Sequence, residues 1–110
     1  MEEINFLIQG SAPEPYEVTF LWDGSRLNAL CTCPAGQNGQ YCKHRIGILE
    51  NTPSDIISDN SKSISQVLSW LDGSALESAL SEYRQADEAL ADAKKLSSAA
   101  KKKLARIMRK

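Results

Sequence analysis

All three cysteines and the single histidine of this chain fall between positions 31 and 44. They read Cys31-Thr-Cys33, then eight residues, then Cys42-Lys-His44. Three thiols and an imidazole are donors that Zn2+ takes in a tetrahedral structural site, and two close pairs separated by a loop supply them. A disulfide framework leaves one cysteine odd, and a bridge from Cys31 to Cys33 is strained. No C-x-x-C redox motif is present. A Cys-His catalytic dyad leaves two cysteines without a role. One structural zinc on Cys31, Cys33, Cys42 and His44 is therefore expected, and four protein ligands leave no open position for catalysis.

The flanking residues predict how the two pairs meet. Residues 16–22, Tyr-Glu-Val-Thr-Phe-Leu-Trp, are rich in strand formers and partly alternate. Asp23-Gly24 is a turn signal, and residues 25–31 return toward the first pair. On an extended chain, residues two apart point the same way, so Cys31 and Cys33 can face one ion. Pro34 stops strand pairing, and Gly36 and Gly39 let the loop fold back. Two residues apart on a regular helix lie on nearly opposite faces, so Cys42 should sit just before a helix and His44 in its first turn. Ile46, Leu49 and Ile48 are the candidates for that helix's buried side, and Asn51-Thr52-Pro53 ends it. The result is a β-β-α zinc finger, with an extra strand allowed at Ile4–Gln9.

C-x-C, eight residues, C-x-H resembles the SWIM zinc finger. The flanks agree: Tyr16–Val18 in a strand, Cys31-Thr-Cys33-Pro34, and Cys42-Lys-His44 before the aliphatic Ile46-Gly-Ile-Leu49. The resemblance spans roughly residues 4–50 and is silent on residues 51–110. SWIM fingers accompany Mutator-type transposases, helicase-like ATPases and ubiquitin-pathway proteins, and members are inferred to bind DNA or protein partners. None of those larger catalytic domains fits in 110 residues, so the resemblance implies only an adaptor role. About 50 residues bury little apolar surface, so the metal is expected to hold the finger folded. Lys43 and Arg45 flank the pattern, either to offset the charge of a zinc-thiolate centre or as ordinary solvated residues. With Arg26 they also form a candidate phosphate-touching patch.

Beyond the finger, residues 51–63 read as a linker with one helical turn around Ser54–Ile57. Ser63-Ile-Ser-Gln66 reads as a capping box for a short helix carrying Ile64, Val67, Leu68 and Leu71, stopped by Asp72-Gly73. Ser74-Ala-Leu-Glu77 opens a second, longer helix, because no Gly or Pro follows and Ala, Leu, Glu and Lys dominate. A heptad places Leu76, Tyr83, Leu90, Ser97 and Leu104 at a, and Ala79, Ala86, Ala93, Ala100 and Ile107 at d. So many small residues make the seam weak, and two readings stay open: pairing with another helix, which includes a homodimer, or a solvated helix.

The net charge of −1 conceals a strong polarity. Residues 1–93 hold all fourteen acidic residues, whereas residues 94–110 hold eight cations and no anion. The cations are Lys94, Lys95, Lys101, Lys102, Lys103, Arg106, Arg109 and Lys110. Contact with a nucleic-acid backbone is one reading, and an acidic protein partner or simple helix-dipole chemistry is the other. A membrane surface fits less well, since Trp and Phe anchors are missing from the tail. No run is long and apolar enough to span a membrane, and no basic n-region and apolar core suggest a secretory signal. An intracellular, cytoplasmic protein is expected. A phosphate-binding loop, a Ser-His-Asp set and a paired-carboxylate site are all missing, so no enzyme is expected. The fold expectation is α+β: finger at 1–50, linker at 51–63, helical region at 64–110. The functional expectation is an adaptor contacting DNA or a DNA-associated complex. The alternative is a protein-interaction module whose helix oligomerises.

Overall fold

A computed structural model describes residues 1–53 and 55–109 of the chain. Three antiparallel strands, β1 (Glu2–Ile8), β2 (Tyr16–Trp22) and β3 (Leu27–Cys31), form one sheet in sequence order. The helices α1 (Pro34–Gln37), α2 (Lys43–Leu49), α3 (Ile64–Leu71) and α4 (Ala75–Met108) follow. This is the expected α+β arrangement, with the extra N-terminal strand present. The described chain divides into a compact unit at Met1–Glu77 and a second unit at Ser78–Lys110.

In the first unit, strand alternation decides the core. Phe6 and Ile8 of β1, Val18 and Phe20 of β2, and Leu27 and Cys31 of β3 are all buried on one face. Phe6 lies opposite Val18, and Val18 lies opposite Cys31. The first cysteine thus ends a cross-strand row whose other members are fully buried. Phe6 and Phe20 meet edge to face at 6.0 Å, the arrangement their ring quadrupoles favour. Helices α2 and α3 add Ile48, Leu49, Ile64, Val67, Trp70 and Leu71 to the core. Trp22 of β2 and Trp70 of α3 stack at 6.2 Å with planes 7° apart.

The β2–β3 turn is fastened by one carboxylate. Asp23 Oδ1 accepts hydrogen bonds from Ser25 N at 2.9 Å and Arg26 N at 2.7 Å. These donors hold the Asp23 carboxyl below its usual range. Gly24 occupies the left-handed region at φ 99° that the turn requires.

The segment after α2 differs from the expected helical turn around Ser54–Ile57. Ser54 lies outside the described residues. Ile56 forms an antiparallel bridge with Ile8. Gln9 N donates to Asp55 O and Ile57 N donates to Leu7 O, both at 2.9 Å. Asn60 Nδ2 also donates to Asn5 O at 2.6 Å. Residues 55–60 therefore run along β1 and cover its outer edge, which otherwise presents unpaired N–H and C=O groups.

The expected capping box at Ser63 is also replaced. Ser63 ends a 3-10 turn at Ser61–Ser63, sits in the right-handed helical region, and makes no side-chain cap bond. The box at Ser74 forms. Glu77 N donates to Ser74 Oγ at 3.2 Å, while the Glu77 carboxylate reaches back to Gly73 N at 3.0 Å.

In the second unit, α4 runs to Met108, so the whole helix counts 34 residues. At 1.5 Å per residue it is about 50 Å long. Every residue from Ser81 to Arg109 is exposed.

Candidate metal centre

Each candidate ligand is positioned by a different piece of backbone. Cys31 is the last residue of β3 and faces inward with Val18. Cys33 lies beyond the strand rather than on it. Its backbone is still extended (φ −65°, ψ 160°), so the alternation continues one step and both thiols face the same way. That step is held by Thr32, whose N donates to Glu17 O at 3.1 Å and whose Oγ1 accepts from Glu17 N at 2.9 Å. Cys33 then caps α1, with Gly36 N donating to its Sγ at 3.3 Å. Cys42 is the residue immediately before α2, with φ −133°, and His44 falls in the first turn. Extended backbone at Cys42 turns its thiol toward the face that His44 presents. The predicted placement of this pair is the one found.

The four donor atoms converge. Cys33 Sγ and Cys42 Sγ are 3.4 Å apart. His44 Nδ1 lies 3.6 Å from Cys42 Sγ and 3.8 Å from Cys31 Sγ. All four lie within 4.8 Å of one another. A tetrahedral zinc with bonds of about 2.3 Å to sulfur and 2.0 Å to nitrogen spaces its ligand atoms roughly 3.5–3.8 Å apart. The three cysteines are buried and free of disulfides. The donor set and its spacing fit one structural zinc ion, with Nδ1 the imidazole nitrogen turned to the thiols.

Their electrostatics point the same way. Burial and the neighbouring Cys33 and Cys42 thiols push Cys31 up to about 12. Burial also raises Cys42, but backbone N–H donors at Arg45 and His44, with the Cys33 and Cys31 thiols, outweigh it and bring Cys42 down to about 6. A cluster this tight loses one proton readily and resists losing more, unless a cation is seated among the sulfurs. Zinc binding must therefore expel the Cys31 proton. Its apparent affinity should fall by at least about tenfold per pH unit on acidification from pH 7.5 to 6, and more steeply below 6 as Cys42 also takes a proton. Competition with a chromophoric chelator across that range measures it, and a flat profile would count against thiolate ligation.

Residues 17–52 match the family model of the SWIM zinc finger. The match contains all four donors, and the SWIM finger fits within the first compact unit. Neither curated proteins nor solved structures give a significant match.

Around the SWIM finger's donors sit groups that the sequence did not single out for these jobs. The Arg45 guanidinium donates to Ala29 O at 3.0 Å and Gln40 O at 2.7 Å, tying β3 to the loop before Cys42. Two of its five N–H groups are thus committed to backbone, which gives Arg45 a bracing role. The Tyr16 ring lies 5.3 Å from the His44 ring and fixes its orientation. Gly36 packs against Cys31, where a β-carbon would come within 2.9 Å of Cys31 Cβ and still closer to its carbonyl oxygen. The signal for α1 was Cys33-Pro34, an N-cap followed by proline at the first helical position. On α2, Ile48 and Leu49 are buried, whereas Ile46 is half-exposed.

The basic candidates Lys94, Lys95, Lys101, Lys102, Lys103, Arg106 and Arg109 are all exposed on α4. Lys110 lies outside the described residues. At 100° per residue, all of these except Lys103 fall within an arc of about 140°. No described helix is long and apolar enough to cross a membrane.

Proposed function

We propose that this chain is a non-enzymatic adaptor, in which a zinc-held SWIM finger is joined to a helix whose basic face contacts DNA or a DNA-associated complex. The observation carrying the reading is the basic arc of α4, where Lys95, Lys102, Arg106 and Arg109 line one exposed side with no acidic residue after Asp92. Cations in a row along a helix neutralise successive phosphates and release their counterions. The arc exceeds what the helix dipole alone favours in a last turn. The finger's role is recruitment rather than clamping, because residues 1–50 hold six acidic and three basic side chains. A non-catalytic reading fits a site whose only histidine is among four protein donors. Thiols kept available for zinc suit a reducing, cytoplasmic setting.

A second reading draws on the apolar stripe of the same helix: Leu90 is 52% and Leu104 56% exposed. Here the finger binds a protein and the helix oligomerises. Fluorescence anisotropy separates the two. Zinc-loaded full-length chain should bind labelled DNA and weaken roughly 10²–10³-fold between 50 and 200 mM salt, if about five phosphates are neutralised. A chain ending at Ala93 should lose that binding. Salt-insensitive binding, or none, removes the nucleic-acid reading and leaves the protein-interaction one.

A further inference from the structure

We propose that α4 is a self-complementary surface that pairs with α4 of a second copy of this chain, antiparallel and in one register. The pairing does not depend on the nucleic-acid reading.

Eight of the ten a and d positions of α4, Ala79, Tyr83, Ala86, Leu90, Ala93, Ser97, Ala100 and Leu104, form a strict alternation of three- and four-residue steps. All eight are exposed. In an antiparallel pair, an a residue of one helix meets a d residue of the other. Setting Leu90 on Ala93 fixes every other layer: Ala86 on Ser97, Tyr83 on Ala100, Ala79 on Leu104 and, at the ends, Leu76 on Ile107. Each layer recurs once more by the two-fold symmetry. In three of these five distinct layers a large side chain meets an alanine, so the volumes are matched along the middle of the seam. The same register lays Ala75 on Met108, the first and last residues of α4. The helix overlaps itself over its full length.

The charges flanking the seam select this arrangement independently. Antiparallel pairing brings g positions together on one side and e positions on the other. Glu82 of one copy then meets Lys103 of the other, and Asp87 meets Lys94. Both contacts occur twice and both are attractive. Parallel pairing would set Glu82 beside Asp87 of the second copy, acid on acid. It would also align two tails of the same sign and stack Leu90 on Leu90 and Ala93 on Ala93, alternating overfilled and empty layers. Lys95, Lys102, Arg106 and Arg109 lie away from the seam and stay on the outer face of the pair.

The test uses zinc-loaded full-length protein in sedimentation equilibrium at low salt. The wild-type chain should run at twice its 12.1 kDa mass. Lys94→Glu with Lys103→Glu sets acid on acid at all four contacts, and Glu82→Lys with Asp87→Lys sets base on base. Each double variant should self-associate at least about tenfold more weakly, from the loss of four attractive contacts and the gain of four repulsive ones. An equimolar mixture of the two makes all four contacts attractive again, two in the original sense and two with the charges exchanged, and should recover the dimer, which a damaged helix would not. A monomeric wild-type chain, double variants that dimerise like wild type, or a mixture that stays monomeric would each overturn the proposal.

Discussion

A Cys42→Ser chain should lose its zinc and, with it, the fold of the Met1–Glu77 unit, while α4 keeps its helicity. Cys42 is 2% exposed, and its sulfur lies 3.4 Å from Cys33 Sγ and 3.6 Å from His44 Nδ1. A serine hydroxyl is a poor zinc donor and leaves a buried polar atom beside an incomplete site. Zinc binding contributes on the order of 10 kcal/mol to domains of this kind, comparable to the whole net stability of a typical one. The apolar core cannot replace it, because the largest fully buried side chains are only Phe6, Phe20, Ile48, Val18 and Val67. Helix α4 has its own support in 34 residues without Gly or Pro, mostly strong helix formers. Zinc stoichiometry reads the first half of the expectation. Near-ultraviolet circular dichroism reads the second, because the Trp22–Trp70 stack belongs to the first unit. Far-ultraviolet signal should fall only in part. A Cys42→Ser chain that retains zinc and the tryptophan signal would mean that the four donors are not the ligand set.

What the sequence made legible was local. Asp23-Gly24 between two strand-like runs predicts the hairpin, and the break in i, i+2 geometry places Cys42 ahead of α2 and His44 within it. The Gly- and Pro-free run after Ser74 predicts α4. What it concealed was mostly long-range. The pairing of residues 55–60 with β1 joins segments about fifty positions apart, as with Leu7 N and Ser58 Oγ at 3.1 Å. Nothing in Asn51–Asn60 carries strand alternation, so the turn formers suggested a linker. The Trp22–Trp70 stack and the Arg45 brace are similarly invisible to periodicity. Helix α1, at four residues, is too short to leave a period at all, and Pro34 was legible only as a strand stop. At Ser63 the capping pattern was present, but a 3-10 turn had already carried the backbone into helical conformation. Every donor of the metal centre was legible, because ligand chemistry depends on residue type and close spacing. The bracing around those donors was not, because it depends on the tertiary fold.

Gly36 belongs to that bracing, and Gly36→Ala should be the most damaging single-methyl change near the site. A β-carbon there would lie 2.9 Å from Cys31 Cβ and 3.0 Å from the Cys31 carbonyl carbon, and closer still to its oxygen. These atoms belong to a strand end that also carries a ligand, so no flexible side chain can yield. Either α1 lifts off β3 or Cys31 is displaced. The first breaks the 3.3 Å bond from Gly36 N to Cys33 Sγ, and the second moves a ligand directly. Overpacking of this kind costs about 1–3 kcal/mol, and lost support around a ligand costs roughly 10–100-fold in metal affinity. Gly39→Ala is the informative control. Gly39 sits at φ 68° with no atom within 4 Å of an added β-carbon, so it should pay only the left-handed backbone penalty of about 1 kcal/mol and keep its zinc affinity. Chelator competition and thermal melting on both variants separate steric pressure on the ligands from backbone preference. If Gly36→Ala bound zinc like wild type while Gly39→Ala did not, loop conformation rather than the packing of α1 on Cys31 would be what holds the thiols in place.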